Sequence, residues 1–242
     1  MARKYALNNS YFKNRKPGDP ATPFEVVNYF LETGELPFKY NGDNWLYDTF
    51  VEYQKRAGVH NSQFFTPETT AERMAELADI HFDSTGYTGY GMASPYVLDA
   101  CCGYGALSIA LREKGFIPHG FDNDSRFKEI YEHFAEGEFT TCDFEDVKET
   151  GINIVSNPPY ERNVLTAFFE KLSEIMNNEN KAILLLPFGF IDKKFPKNTL
   201  DALAKFEIIY REPMAEEFAR TKTRAEIVVI KKQKKEENNL FL

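Results

Sequence analysis

Residues 154 to 160 read Ile-Val-Ser-Asn-Pro-Pro-Tyr, an apolar run that stops at the tetrad Asn157-Pro158-Pro159-Tyr160. Two consecutive prolines can neither continue a strand ladder nor sit inside a helix, and Pro158 also keeps Asn157 out of helical space. The chain therefore leaves a strand stiffly and holds the Asn157 amide and the Pro158 carbonyl at its end. Tyr160 sets a flat face beside them. Two acceptors next to an aromatic plate suit a planar ring carrying an exocyclic NH2 group. Such an amine is a poor nucleophile while its lone pair is delocalised into the ring. Acceptors that favour a pyramidal nitrogen activate it as positive charge grows there.

Two more strand ends carry candidate chemistry. The segment Asp99-Ala-Cys101-Cys102-Gly103-Tyr-Gly105 has glycines where a ligand can approach the backbone and an acid that can accept from an amine or hydroxyl. It is Gly-x-Gly without the third glycine of the dinucleotide fingerprint. Asp122-Asn123-Asp124 follows at a distance suited to ribose hydroxyls, the alternative being that these acids cap helices. Cations gather at Arg3, Lys4, Lys13, Arg15 and Lys16, at Lys193, Lys194 and Lys197, and at Arg220, Lys222 and Arg224. The last group, in the loop before the final strand with Phe218, is the best placed to meet phosphates. Ordinary solvated surface is the alternative for each.

The chain as a whole sets bounds on these readings. Its 242 residues hold one full α/β domain and a small extension. A net charge of −8 counts against non-specific coating of nucleic acid, which needs clustered cations. No apolar run reaches the ~18 residues of a membrane span, and the N-terminus lacks the apolar stretch of a signal peptide. Adjacent Cys101 and Cys102, with Cys142, read as reduced thiols, which predicts a cytoplasmic protein. The four scattered histidines and three cysteines fit no zinc spacing, and no metal is expected.

The elements that must position these residues follow from periodicity and caps. Residues 1–60 form an aromatic-rich helical extension, with a helix start at Thr22-Pro23-Phe24-Glu25 closed by Gly34, and a second helix over 44–56. Thr66-Pro67 opens another helix with Met74, Leu77 and Ala78 buried, and the Gly/Tyr-rich stretch 84–94 reads as a loop. Strands are expected at 96–100, 118–122, 139–143, 152–156, 182–186, 206–210 and 227–230. The helix after the tetrad carries Leu165, Phe168, Phe169, Leu172, Ile175 and Met176 on one face. This alternation predicts an α/β fold: a doubly wound, mostly parallel seven-stranded sheet over residues 61–235, with a polar tail at 236–242. Such a sheet binds ligands at the carboxyl ends of its strands, where the candidate residues fall.

Across residues 61 to 231 the chain resembles class I S-adenosylmethionine-dependent methyltransferases of the DNA adenine-N6 type. Asp99 to Gly105, including Cys101 and Gly103, resembles that family's methionine-binding loop. Asp122, with Asn123 beside it, matches the acid that takes the ribose hydroxyls. Asp143-Phe144 resembles the pair whose carboxylate reads the cofactor's adenine amine and whose ring packs nearby. Gln63-Phe64-Phe65-Thr66-Pro67 is similar to the segment that closes over the cofactor's methionine end in modification subunits of type I restriction systems. The tetrad Asn157-Pro158-Pro159-Tyr160 matches the family's catalytic one. The resemblance implies S-adenosylmethionine as cofactor, DNA as partner, Tyr160 stacking on a flipped base, and Phe218 as a second face for it. The order of the pieces is γ-like.

About fifty residues separate Gly105 from Asn157, so no target-recognition domain fits between them, and the rest of the sheet uses up the chain after Tyr160. Short, relaxed specificity or a separate specificity subunit is therefore expected. RNA adenine methylation, protein glutamine methylation and a non-catalytic methyltransferase-like subunit remain as alternatives.

Overall fold

The computed structural model describes residues 11–57, 64–82, 96–193, 195–214, 218 and 224–233. Gln63, the 84–94 loop, Lys194, Arg220, Lys222, Arg3, Lys4 and the 236–242 tail lie outside the described residues. Seven strands form one sheet: β1 (Tyr96–Ala100), β2 (Ile117–Asp122), β3 (Glu138–Thr141), β4 (Asn153–Ser156), β5 (Lys181–Pro187), β6 (Phe206–Pro213) and β7 (Ala225–Lys232). Their order is β3-β2-β1-β4-β5-β7-β6, with β7 alone running against its neighbours. The chain turns one way from β1 to β2 and β3, and the other way to β4 and β5. That reversal leaves a crevice at the carboxyl ends of β1 and β4, the place where open α/β sheets bind ligands. Ser156 Oγ donates to the Ala100 carbonyl at 2.6 Å and pins the two strand ends together there.

Helices cover both faces because the strands are apolar on both. On one face Leu184, Leu186, Val228 and Ile230 pack against α7 (Arg162–Ile175) and α8 (Lys197–Leu203). All six residues expected on the apolar face after the tetrad are buried there, with Met176 just past the helix end. On the other face Ile183, Leu185, Ile227 and Val229 meet α4 (Glu68–His81) and α5 (Ala106–Glu113).

The N-terminal residues form α1 (Tyr11–Asn14), α2 (Pro23–Thr33) and α3 (Trp45–Ala57). Thr22 and Glu25 make a reciprocal capping box, and Gly34, in the left-handed region at φ 74°, ends α2. Val27, Leu46 and Phe50 pack against Phe127 and Ile130, the latter on α6 (Lys128–Phe134). These helices therefore share a core with the sheet.

The larger differences from expectation lie in β3, α4, β6 and β7. β3 ends at Thr141, because the chain bends away after Cys142 N donates to the Asp122 carbonyl, and Asp143 precedes a short 3-10 turn over Phe144–Asp146. Helix α4 begins at Glu68 with Pro67 as its cap, so Thr66 stands one residue before the cap. β6 and β7 run longer than their apolar runs because Arg211 and Glu212 are paired, with Glu226 and Arg73 respectively. Among the described residues no helix is long and apolar enough to cross a membrane.

Candidate active site

The crevice holds a cavity of about 230 Å³. From the expected site residues its lining takes Phe65, Thr66, Cys101, Gly103, Asp122, Asn123, Asp143, Phe144, Asn157 and Pro159. They arrive from the segment before α4 and from the ends of β1, β2, β3 and β4. Phe121, Phe127 and Tyr104 complete apolar walls that the sequence reading did not single out, joined by Phe168, which it placed only on the apolar face of the helix after the tetrad. Their signal was positional: Phe121 and Cys142 each precede a candidate acid, and Phe168 faces Phe144 at 4.4 Å between ring centres.

The glycine loop is shaped by its backbone. Cys101, at φ 58°, is a non-glycine residue in the left-handed region, a conformation that persists only when its surroundings impose it. Cys102 N donates to Phe121 O, and Gly103 N donates to Asp122 Oδ2 at 2.9 Å, which draws the loop onto the end of β2. Gly103 faces the cavity: a Cβ there would meet nothing nearer than Phe65 at 3.9 Å. Gly105 has a different duty, since a Cβ on it would strike the Tyr131 ring at 2.8 Å.

Much of the polar lining is internally paired. Asp122 accepts from Gly103 N and from Asp124 N, and burial raises its pKa from the usual carboxylate value. Asn123 Nδ2 donates to Asp143 Oδ1 at 2.9 Å. Asp99 is placed elsewhere. It is fully buried behind the loop, outside the lining, where Ser108 donates to it at 2.5 Å and Ser108 in turn contacts the Tyr131 hydroxyl at 2.6 Å. Burial pushes its pKa up to about 7.

At the tetrad the pairing is one-sided. Asn157 Nδ2 donates to the Phe64 carbonyl at 2.7 Å and to Thr66 Oγ1 at 3.0 Å. A carbonyl can only accept, so this contact fixes which end of the amide is nitrogen. Asn157 Oδ1 is buried and has no partner among the described residues, and the same holds for the Tyr160 hydroxyl. Pro158 is buried outside the cavity lining. The Tyr160 ring stacks on Phe64, 4.7 Å between centres and 22° between planes. Burial raises the Tyr160 pKa, keeping the phenol neutral. Phe218 is 3% exposed and packs against both rings, so in this arrangement it supports Tyr160 from the protein side.

The open aromatic near this end of the sheet is Phe188, 44% exposed, just after β5. The Arg224 guanidinium lies 4.7 Å over its ring. The turn is held from below by Glu226, which is buried, accepts from Gly189 N and pairs with Arg211. Sequence reading missed Phe188 because a single aromatic after a buried strand looks like more core.

No family model and no curated protein matches the chain by sequence. Solved structures do match its backbone. A proposed RNA methyltransferase from Pyrococcus horikoshii superposes with a TM-score of 0.56 at 18% identity, covering 70% of this chain and 87% of that one. Magnesium protoporphyrin IX methyltransferase from Synechocystis, solved with S-adenosylmethionine bound, gives 0.54 at 17%, over 87% and 97%. A proposed class I S-adenosylmethionine-dependent methyltransferase from Listeria monocytogenes gives 0.60 at 13%, over 77% and 66%. The seven-stranded sheet with one reversed strand is thus the class I methyltransferase fold.

Proposed function

We propose that the protein transfers a methyl group from S-adenosylmethionine to the exocyclic N6 amine of adenine in DNA. The observation that carries the reading is Asn157 Oδ1, a buried acceptor without a partner on an amide whose nitrogen is tied twice. Leaving such an atom unpaired costs about 1–3 kcal/mol, which an incoming N–H donor removes. The donor must reach it beside the Tyr160 ring, in a setting suited to a flat, conjugated amine.

The cavity residues fit the cofactor. Asp122, Asn123 and Asp143 present acceptors and an amide for hydroxyls and an amine, Phe121 and Phe144 offer flat walls for a base, and Gly103 keeps the backbone clear. When bound, S-adenosylmethionine supplies a methyl group activated by its sulfonium charge. The chain's part is to accept the amine hydrogens at Asn157 Oδ1 and the Pro158 carbonyl as that nitrogen becomes pyramidal. The methylated nitrogen, now cationic and acidic, loses one proton to water once the sulfonium has left as a neutral thioether, so no strong base is needed at the tetrad and positioning supplies much of the rest. A base in duplex DNA must leave the stack to arrive there.

DNA is favoured over other acceptors by the Gln63-to-Pro67 resemblance and by Arg224, which sits over exposed Phe188 near the acceptor end. Recognition of a target sequence is assigned to a specificity subunit or to short, relaxed contacts. The deciding experiment incubates the protein with tritiated S-adenosylmethionine and separates DNA, RNA and protein acceptors. Label in DNA as N6-methyladenine supports the reading. Label confined to RNA or to protein glutamine replaces the substrate, and no label in any acceptor overturns the transferase assignment.

A further inference from the structure

The dipeptide Thr-Pro precedes a helix twice in this chain, and the two threonines are used differently. Thr22 accepts from Glu25 N at 3.2 Å and caps α2. Thr66 makes no such bond. Helix α4 starts with Pro67 as a cap that offers no side-chain acceptor, and the Thr66 hydroxyl turns instead to Asn157, 91 residues away in sequence. A local signal set aside in favour of a distant contact is where a sequence departs from its own folding rules for another purpose.

An amide NH2 group has two hydrogens, and here both are taken: one by the Phe64 carbonyl, the other by Thr66. With both engaged, the Asn157 side chain cannot rotate without losing a buried hydrogen bond, so Oδ1 keeps one direction. Thr66 is 5% exposed and also lines the cavity, while the Phe64 ring stacks on Tyr160. One short segment therefore touches the cofactor cavity, the acceptor amide and the aromatic face together.

We propose that Thr66 is a positioning residue, its hydroxyl fixing the Asn157 rotamer that aims Oδ1 at the acceptor amine. This rests on the reading of Asn157 as the methyl-acceptor residue. Thr66→Val keeps the shape and removes the acceptor, leaving Nδ2 with the Phe64 carbonyl alone. Because a small misplacement of a reacting group lowers the rate by up to ~10²-fold, kcat should fall roughly tenfold to a hundredfold. KM for adenine-containing DNA should stay within about threefold, since binding area is unchanged. Thr66→Ser should restore most of the rate.

Two readouts keep this separable from the functional reading. The first needs no substrate: the Asn157 side-chain NH2 signals, assigned by their loss in Asn157→Asp, should exchange slowly with solvent in the wild type and in Thr66→Ser. They should exchange at least tenfold faster in Thr66→Val. Unchanged exchange in Thr66→Val overturns the proposal, whatever the acceptor is. The second is kinetic: if Asn157→Ala is inactive while Thr66→Val keeps the wild-type kcat, the positioning role is wrong and the acceptor site stands. If Asn157→Ala stays fully active, the underlying reading of Asn157 fails. A Thr66→Val protein that does not fold leaves the decision to Thr66→Ala, judged by the same exchange measurement.

Discussion

The two halves of the crevice are built on opposite terms. In the half formed by the ends of β1, β2 and β3, much of the polar lining is paired within the protein: Asp122 to two backbone amides, Asn123 to Asp143. Its apolar walls are backed by the N-terminal helices. Phe50 stacks on Tyr104 at 5.5 Å and lies 4.9 Å from Phe65 and 5.7 Å from Phe127, all three lining the cavity. At the end of β4 the Asn157 oxygen and the Tyr160 hydroxyl are buried and unpaired, and Asn157 lines the cavity, whereas the unpaired buried oxygen of the first half, Asp99 Oδ1, lies outside the lining. The first half is preformed and continuous with the core. The second holds an unsatisfied acceptor in reserve, as a site does when its partner comes from outside.

That difference predicts two contrasting failures. Phe50→Ala removes a ring that is 3% exposed from the wall behind the cavity, so it should lower stability by about 3–5 kcal/mol. Calorimetry should show weaker S-adenosylmethionine binding at the same time. A Phe50→Ala protein with unaltered melting and unaltered cofactor affinity would mean that the N-terminal helices only decorate the fold. Asn157→Ala should do the reverse. Loss of one preorganised acceptor should reduce methyl transfer by about 10²–10³-fold, near 3–4 kcal/mol in the barrier. Its melting temperature should move much less than that of Phe50→Ala. Equal loss of stability in both variants would erase the distinction between the halves.

The sheet was legible because its signals are local. Strand β1 lies at the expected residues, and the capping box at Thr22 and the left-handed Gly34 are short-range devices. The site was legible only to the level of strand ends. Asp99 illustrates the limit. Its place in the loop sequence suggested a ligand contact, yet β1 directs it under the loop, and only the distant Ser108 and Tyr131 reveal its setting. Gly105 follows the same logic, since its need for a bare Cα comes from a tyrosine 26 positions on. The aromatic richness of the N-terminal extension was visible as composition, but the role of Phe50 as the back wall needs tertiary contacts. Thr66 showed the opposite error, a local cap signal overridden by a long-range bond.

Asp99 offers a test of how completely the first half is sealed. Its pKa rises from 3.8 to about 7 on folding, chiefly through burial, with Asp122 adding to the shift. Below pH 3.8 the carboxyl is protonated in both states and carries no penalty. As pH rises through that window the unfolded chain ionises first, so folded stability falls, and above about 7 the loss is complete. Asp99→Asn keeps an acceptor for Ser108 and cannot ionise. Its melting advantage over the wild type should therefore widen between pH 4 and 7 and stay level above. A constant difference across that range would show that water reaches Asp99 and that the loop is not a sealed floor.

The smallest expected effect belongs to the outer edge of the second half, where Arg224 covers Phe188. With a net charge of −8, the protein gains little from long-range attraction to DNA, so each local phosphate contact should be visible in the salt dependence. Arg224→Glu should flatten the plot of log affinity for an adenine-containing duplex against log salt by about 0.9, the contribution of one neutralised phosphate. Phe188→Ala should lower affinity at every salt concentration and leave the slope alone, because stacking releases no counterions. If both variants bind as the wild type does, this edge is not where nucleic acid lies. The open acceptor at Asn157 would then have to be served by a smaller molecule or by DNA held on another subunit.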